Sequence, residues 1–256
     1  MSGKDDYYNR AKQEGYRARS AYKLKQLDET AGLLGEGNTV VDLGAAPGGW
    51  LQVAAERVGS EGTVVGVDRQ RIDPLEDPEA TVESVRGDLT DEETVGDIVD
   101  RVGEADTVLS DMAPDMTGEY NLDHARSVHL ARQAATVARE VLAAGGDLAV
   151  KVFDGRDLAD LEADLEEDFE YVRQVRPEAS RDASSELYLV AKGSLTAPVR
   201  EGDQLTVEIV DTGSDGDGVA KVEGYTLFVG GVSEGETVDV RVDDVKPTYG
   251  FAQPVE

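Results

Sequence analysis

Asp42, Asp68, Asp88 and Asp111 each stand where a short apolar run ends, and Lys151 sits inside another, residues 148–153. Acids at such ends suit a ligand rich in hydroxyl and amino groups. Between Asp42 and residue 50 the chain reads Gly44-Ala45-Ala46-Pro47-Gly48-Gly49-Trp50, a glycine-rich turn that opens into a helix. Strand, turn and helix N-terminus together make a nucleotide-binding crevice. Two ligand classes fit it. Gly44, Ala46 and Gly49 make a degraded G-x-G-x-x-G dinucleotide fingerprint. Pro47, however, interrupts the turn where a pyrophosphate needs free N–H groups, and Asp42 is placed to face a cationic ligand group. Asp68 can accept from both ribose hydroxyls, and Asp88 from an adenine amino group. Lys151 needs a carboxylate partner within its apolar run or it would lose its charge; Asp111, on the neighbouring strand, is the natural one. Glu186 opens a later strand that reaches the same edge if it runs antiparallel.

These residues must be carried by a sheet. Strands are expected at 39–43, 63–68, 81–87, 107–111 and 147–152, with helices at 20–31, 49–58, 92–102 and 122–144 between or before them. Ser20 is the candidate N-cap of the first. The alternation argues a doubly wound α/β sheet, mostly parallel. A helix at 158–165 and strands at 170–176 and 186–191 follow, the last two forming an antiparallel edge. After Lys192 the pattern changes. Four short alternating runs, 205–210, 218–222, 225–229 and 237–242, read as a small β-barrel. The expected domains are residues 1–193 and 194–256. His124 and His129 lie five apart on one helix, a poor metal spacing, and read as packing or surface residues.

The formal net charge is −29, from 54 acids against 25 cations, and there is no cysteine. Disulfides and thiolate zinc sites are thereby excluded. So acidic a balance taken alone argues against a nucleic-acid partner. Its even spread and the scarcity of aromatics instead fit adaptation to molar salt, where the Debye length falls to about 3 Å. One island opposes the trend: Arg10, Lys12, Arg17, Arg19, Lys23 and Lys25 face only Glu14, interleaved with Tyr7, Tyr8, Tyr16 and Tyr22. Cations among rings are what an RNA-docking segment needs. No apolar run has membrane-span length, and the N-terminus lacks a signal-peptide core; a cytoplasmic monomer with no membrane or DNA partner is expected.

The turn GAAPGGW resembles the cofactor loop of the FtsJ/RrmJ (RlmE) ribose 2′-O-methyltransferases. Members of that family carry a Lys-Asp-Lys-Glu tetrad, which this chain matches at Lys23 in RSAYKL, Asp111 in SDMAP, Lys151 in VKVF and Glu186 in SSELYLVA. The resemblance spans residues 16–192. It implies a Rossmann-like seven-stranded sheet with one antiparallel strand, S-adenosylmethionine (SAM) as methyl donor with no metal, and an RNA ribose as acceptor. SAM contacts carry over to Gly48, Trp50, Asp68, Asp88 and Asp111, beside Asp42 and Gly44 of the loop. The run GDGVAKVEGYTLFVGGVSEGETVDVRV resembles the TRAM domain, an OB-like RNA-binding module. There Arg200, Lys221, Arg241 and Lys246 are the cations, and Tyr225, Phe228, Tyr249 and Phe251 are candidates for base stacking.

The expected activity is thus SAM-dependent methylation of a uridine 2′-hydroxyl in large-subunit rRNA. Methylation of a tRNA ribose, or an RNA-binding assembly factor with dispensable catalysis, are the alternatives. Lys151 can serve as general base if neutral, which a free lysine of pKa about 10.4 rarely is, or as an orienting cation; Glu186 positions the lysines.

Overall fold

The structure is a computed structural model that describes the chain except residues 1–2, 181–184, 196, 200, 214–215, 223, 247–248 and 256. Arg200 therefore lies outside the described residues. The chain divides into two compact units, Met1–Ser194 and Leu195–Glu256.

The first unit is built on central strands buried on both faces, as parallel sheets require. Strands β1 (Thr39–Leu43), β2 (Thr63–Asp68), β3 (Thr81–Arg86), β4 (Ala105–Ser110), β5 (Leu142–Phe153), β6 (Phe169–Val175) and β7 (Glu186–Ser194) form one sheet in the order β3-β2-β1-β4-β5-β7-β6. Only β7 opposes its neighbours, pairing antiparallel with both β5 and β6. It therefore lies between β5 and the edge strand β6, and β6 and β7 form the antiparallel edge expected from the sequence. This position brings Glu186 beside Phe153 and Tyr188 beside Lys151.

Alternation along the strands sorts the side chains into two cores. Val41, Leu43, Val65 and Val67 pack beneath α4 (Glu92–Val102), α5 (Tyr120–Val141) and α6 (Leu158–Glu166). Val40, Val64, Leu109, Ala149 and Tyr188 pack on the other face, beneath α2 (Ala21–Ala31) and α3 (Gly49–Val58). Lys151 continues the row of Ala149, so it emerges on the α2 face, where α2 contributes Lys23. Helix α3 lies close on the sheet at Gly66, where an added Cβ would stand 2.8 Å from both Leu51 methyls. Ser20 does not cap α2 with its hydroxyl: it is already helical (φ −61°, ψ −19°). Its carbonyl instead accepts the Trp50 indole N–H at 2.8 Å. A further helix, α1 (Gly3–Glu14), precedes α2 and docks through Ala11 against Tyr22 and Ala179.

The second unit is a closed barrel of β8 (Gln204–Thr212), β9 (Gly218–Val222), β10 (Tyr225–Val229), β11 (Thr237–Val245) and β12 (Tyr249–Pro254). Strand β12 was not foreseen because its pattern is inverted. Gly250 and Ala252 point inward, while Tyr249 and Phe251 stay exposed. Among the described residues no helix is long and apolar enough to cross a membrane.

Gly66→Val should cost about 1–3 kcal/mol, the usual penalty for overpacking a core, because Leu51 and the whole of α3 must shift. Chemical denaturation in molar salt checks this; an unchanged unfolding free energy would show that α3 does not press on β2.

Candidate active site

Asp111 follows the end of β4 and is the meeting point of four elements. Lys151 Nζ donates to its Oδ1 at 2.8 Å and also to its backbone carbonyl. The Tyr188 hydroxyl donates to the same Oδ1 at 2.6 Å. Lys23 Nζ lies 3.8 Å from that oxygen and 2.7 Å from Glu186 Oε1. The tetrad expected from sequence is thus assembled, two lysines alternating with two carboxylates. Burial pushes the Asp111 carboxyl up, but Lys151, Lys23 and the Tyr188 hydroxyl outweigh it and hold the group below the usual carboxylate range. Tyr188 is pushed well above the usual phenol range by burial and by the charges of Asp111 and Glu186, so it remains a donor. Tyr188 was missed in the sequence, although period-two alternation from Glu186 places it on the same face.

Two cavities flank this cluster. One of about 960 Å³ is lined by Gly44, Ala46, Asp68, Asp88, Asp111 and Met112. The other, of about 540 Å³, reaches Lys23, Lys151 and Glu186. In the first, Asp68 braces the turn by accepting the N–H groups of Ala46 (3.0 Å) and Gln70 (2.7 Å). The Thr90 N–H and hydroxyl lower the Asp88 pKa. Gly44 has φ +80°, and a Cβ there would stand 2.6 Å from Met112 Cγ, filling the cradle. His129, Arg126 and Gln133 of α5 also line this cavity, roles that the sequence did not signal.

Three expected cofactor residues stand elsewhere. The Trp50 indole is buried, donating to Ser20 and lying against Tyr188 at 5.8 Å. Gly48 caps α3 at φ 108°, and a Cβ there would meet the Arg17 guanidinium at 2.8 Å. Asp42 is fully buried, and neither of its carboxylate oxygens has a partner among the described residues. None of the three is among the residues that line the first cavity.

Of the basic island only Lys23 is buried; Arg17, Arg19 and Lys25 are half-buried, and Arg10 and Lys12 are exposed. Arg17 donates to the carbonyls of Pro47, Asp73 and Pro74 and so staples the glycine-rich turn. Arg19 donates to the Ala179 carbonyl at 2.7 Å. Arg10 pairs with Glu14 and covers the Tyr22 ring; Lys25 lies 4.3 Å from the Tyr16 centroid. These contacts order part of the island, while Tyr8, Arg10 and Lys12 remain exposed. On the barrel, Tyr225 is buried and donates to the Lys246 carbonyl. Phe228, Tyr249 and Phe251 instead form an outer cluster with centroids 5.7–5.9 Å apart.

Comparison with known proteins agrees with this fold. The model of the FtsJ-like methyltransferases matches residues 16–194, and that of the TRAM domain matches residues 198–255. This chain belongs to the FtsJ-like methyltransferase family. The methyltransferase is 70% identical to a Haloarcula marismortui protein named ribosomal RNA large subunit methyltransferase E, over the full length of both chains. It is 46% identical to a Methanosarcina mazei protein of the same name, covering 99% of this chain and 93% of that one. A crystal structure from Plasmodium falciparum, described provisionally as a ribosomal RNA methyltransferase, aligns with a TM-score of 0.63 at 26% identity, covering 71% of this chain and all of that one. Haloarcula, Natronomonas and Halobacterium proteins among the relatives accord with the acid-rich composition.

Burial, then the charges of Asp111 and Asp68, raise the Asp42 carboxyl well above its ordinary range. It is therefore protonated in the folded methyltransferase at pH values where the unfolded chain has ionised it. Its contribution to stability is complete below about pH 3.9, the unfolded value, and is lost as pH rises toward the folded one. Asp42→Asn should remove that loss, so the wild type should weaken more than the variant between about pH 4 and 7. Unfolding free energies across this range in molar salt decide; parallel curves would contradict the assignment.

Proposed function

We propose that this chain transfers a methyl group from SAM to the 2′-hydroxyl of a uridine ribose in large-subunit ribosomal RNA. The observation that carries the reading is the Lys-Asp-Lys-Glu cluster standing between two cavities, one lined by acids and one lined by the lysines. The names borne by the relatives support a ribosomal RNA acceptor.

The first cavity has the size of a small-ligand site, and its residues suit SAM. Asp68 would hold the ribose hydroxyls and Asp88 the adenine amino group, over the close approach that Gly44 permits. SAM supplies, when bound, a methyl group activated by its sulfonium centre. The chain's own work is to present the acceptor oxygen and take its proton. Lys151 Nζ has four tetrahedral positions: one holds Cε and two direct hydrogen bonds into Asp111. The fourth is left for the 2′-hydroxyl. When Lys151 is neutral, that position is its lone pair, which removes the proton as the oxygen attacks in line. Asp111 fixes the direction of the lone pair through its two acceptors. Glu186 holds Lys23 in place beside the Asp111 carboxylate. Such positioning accounts for a large share of rate enhancement.

The barrel is the proposed RNA-binding domain, with Phe228, Tyr249 and Phe251 as a stacking surface. Uncharged stacking is suited to a chain whose cations are few and whose medium screens charge.

Methyl transfer to large subunits from a gene-deleted strain, followed by nucleoside mass spectrometry, tests the reaction. A 2′-O-methyluridine absent from the deleted strain should return with the wild-type chain. Lys151→Arg keeps the charge and the bonds to Asp111 but cannot act as a base near neutral pH. Its turnover should fall about 10²–10⁴-fold, the range for general-base catalysis. An arginine variant within about tenfold of wild type would make Lys151 an orienting cation.

A further inference from the structure

The first turn of α5 holds the rim of the second cavity with groups that proton removal does not use. Buried Asp123 accepts the N–H groups of Thr117 (2.9 Å) and Gly118 (3.0 Å) and the Thr117 hydroxyl (2.8 Å). Buried His124 engages both ring nitrogens. Its Nδ1 donates to the Phe153 carbonyl at 2.8 Å, and its Nε2 accepts the Asp157 N–H at 3.0 Å. The ring is so close to the following loop that a Cβ at Gly155 would stand 2.5 Å from it. The Tyr120 hydroxyl donates to the Asp154 carbonyl at 2.7 Å. Three side chains of one turn thus tie together the loops on either side of the cavity, residues 112–119 and 154–157.

This bracket leaves one conspicuous result. The Tyr120 hydroxyl is anchored, yet the residue remains 58% exposed. A tyrosine kept for packing buries its ring and finds its hydroxyl a partner; here the hydroxyl has its partner while most of the residue stands open. The ring lines the same cavity as Lys23, Lys151 and Glu186, together with Arg19 and the exposed Met116. A pinned ring beside a group that acts on a ribose has a natural occupant, because the base attached to that ribose has a flat face of its own.

We propose that Tyr120 is the stacking platform for the base of the acceptor nucleotide, and that it selects the ribose whose 2′-oxygen meets Lys151. The inference rests on the ribose methylation proposed above. Stacking on a ring tolerates any base, so Tyr120 fixes position, and the pairing edge of the base is left for other contacts. An unpaired or flipped-out nucleotide is required, since a base within a helix has both faces covered.

The test uses the full chain, SAM, and large subunits from the gene-deleted strain. Tyr120→Leu removes the ring, and Tyr120→Phe keeps the ring but loses the tether to Asp154. The leucine variant should raise KM for subunits about tenfold, within the range for one lost base stack, with a smaller change in kcat. Phenylalanine should recover most of that loss. SAM affinity, measured by calorimetry, should be the same in all three proteins. A leucine variant within about twofold of wild type overturns the proposal, as does a phenylalanine variant as impaired as leucine. A fall in SAM affinity overturns it too, since Tyr120 would then serve the fold. Should the wild type place no methyl on ribose, the reading of the tetrad fails by itself, and the Kd of wild type and Tyr120→Leu for the same subunits still decides the stacking.

Discussion

The site depends on one half-buried carboxylate. Asp111 receives Lys151 and Tyr188 on a single oxygen and has Lys23 at the margin of contact. Removing such a group from water is costly, and the attraction of its partners offsets this only when the geometry is good and the remaining bonds are made. Deleting one partner of a buried pair typically costs about 3–5 kcal/mol, so neither lysine can be altered without consequence for the other. The same constraint that makes the cluster expensive to assemble holds Lys151 in one orientation.

Strand alternation delivers these groups to one place. Lys151 shares a face with Ala149, and Tyr188 stands directly beside it because β7 runs antiparallel into the sheet. Helix α2 covers that face and supplies Lys23 as one of its buried residues. The opposite face holds the larger apolar core under α4, α5 and α6. The chemistry gathers at the carboxyl ends of the parallel strands, as the rule for open α/β sheets requires. Helix α5 reaches round to both cavities, with His129 at one and Tyr120 at the other.

Much of this was legible in the sequence because acids that end apolar runs, and a lysine within one, break a pattern that otherwise serves burial. Those breaks marked Asp68, Asp88, Asp111 and Lys151 one by one, and most strand and helix bounds followed from periodicity, although residues 142–144, read as the end of a helix, open β5. What the sequence concealed depended on partners with no side-chain identity. Arg17 reads as a docking cation until its acceptors are seen, which are backbone carbonyls 30 to 57 residues away. Tyr120, just ahead of the helix expected at 122–144, is unremarked for the same reason, since its hydroxyl meets a backbone carbonyl. Strand β12 escaped because small residues face its core and rings face outward, the reverse of the usual pattern.

If Asp111 acts by holding Lys151, the two residues form a single catalytic unit. Turnover at saturating SAM and saturating subunits, compared among wild type, Asp111→Asn, Lys151→Met and the double variant, measures this directly. Groups that work as a unit are strongly non-additive. The account predicts a double variant no slower than the slower single one. Losses that multiply would show that Asp111 and Lys151 act independently, and would contradict it.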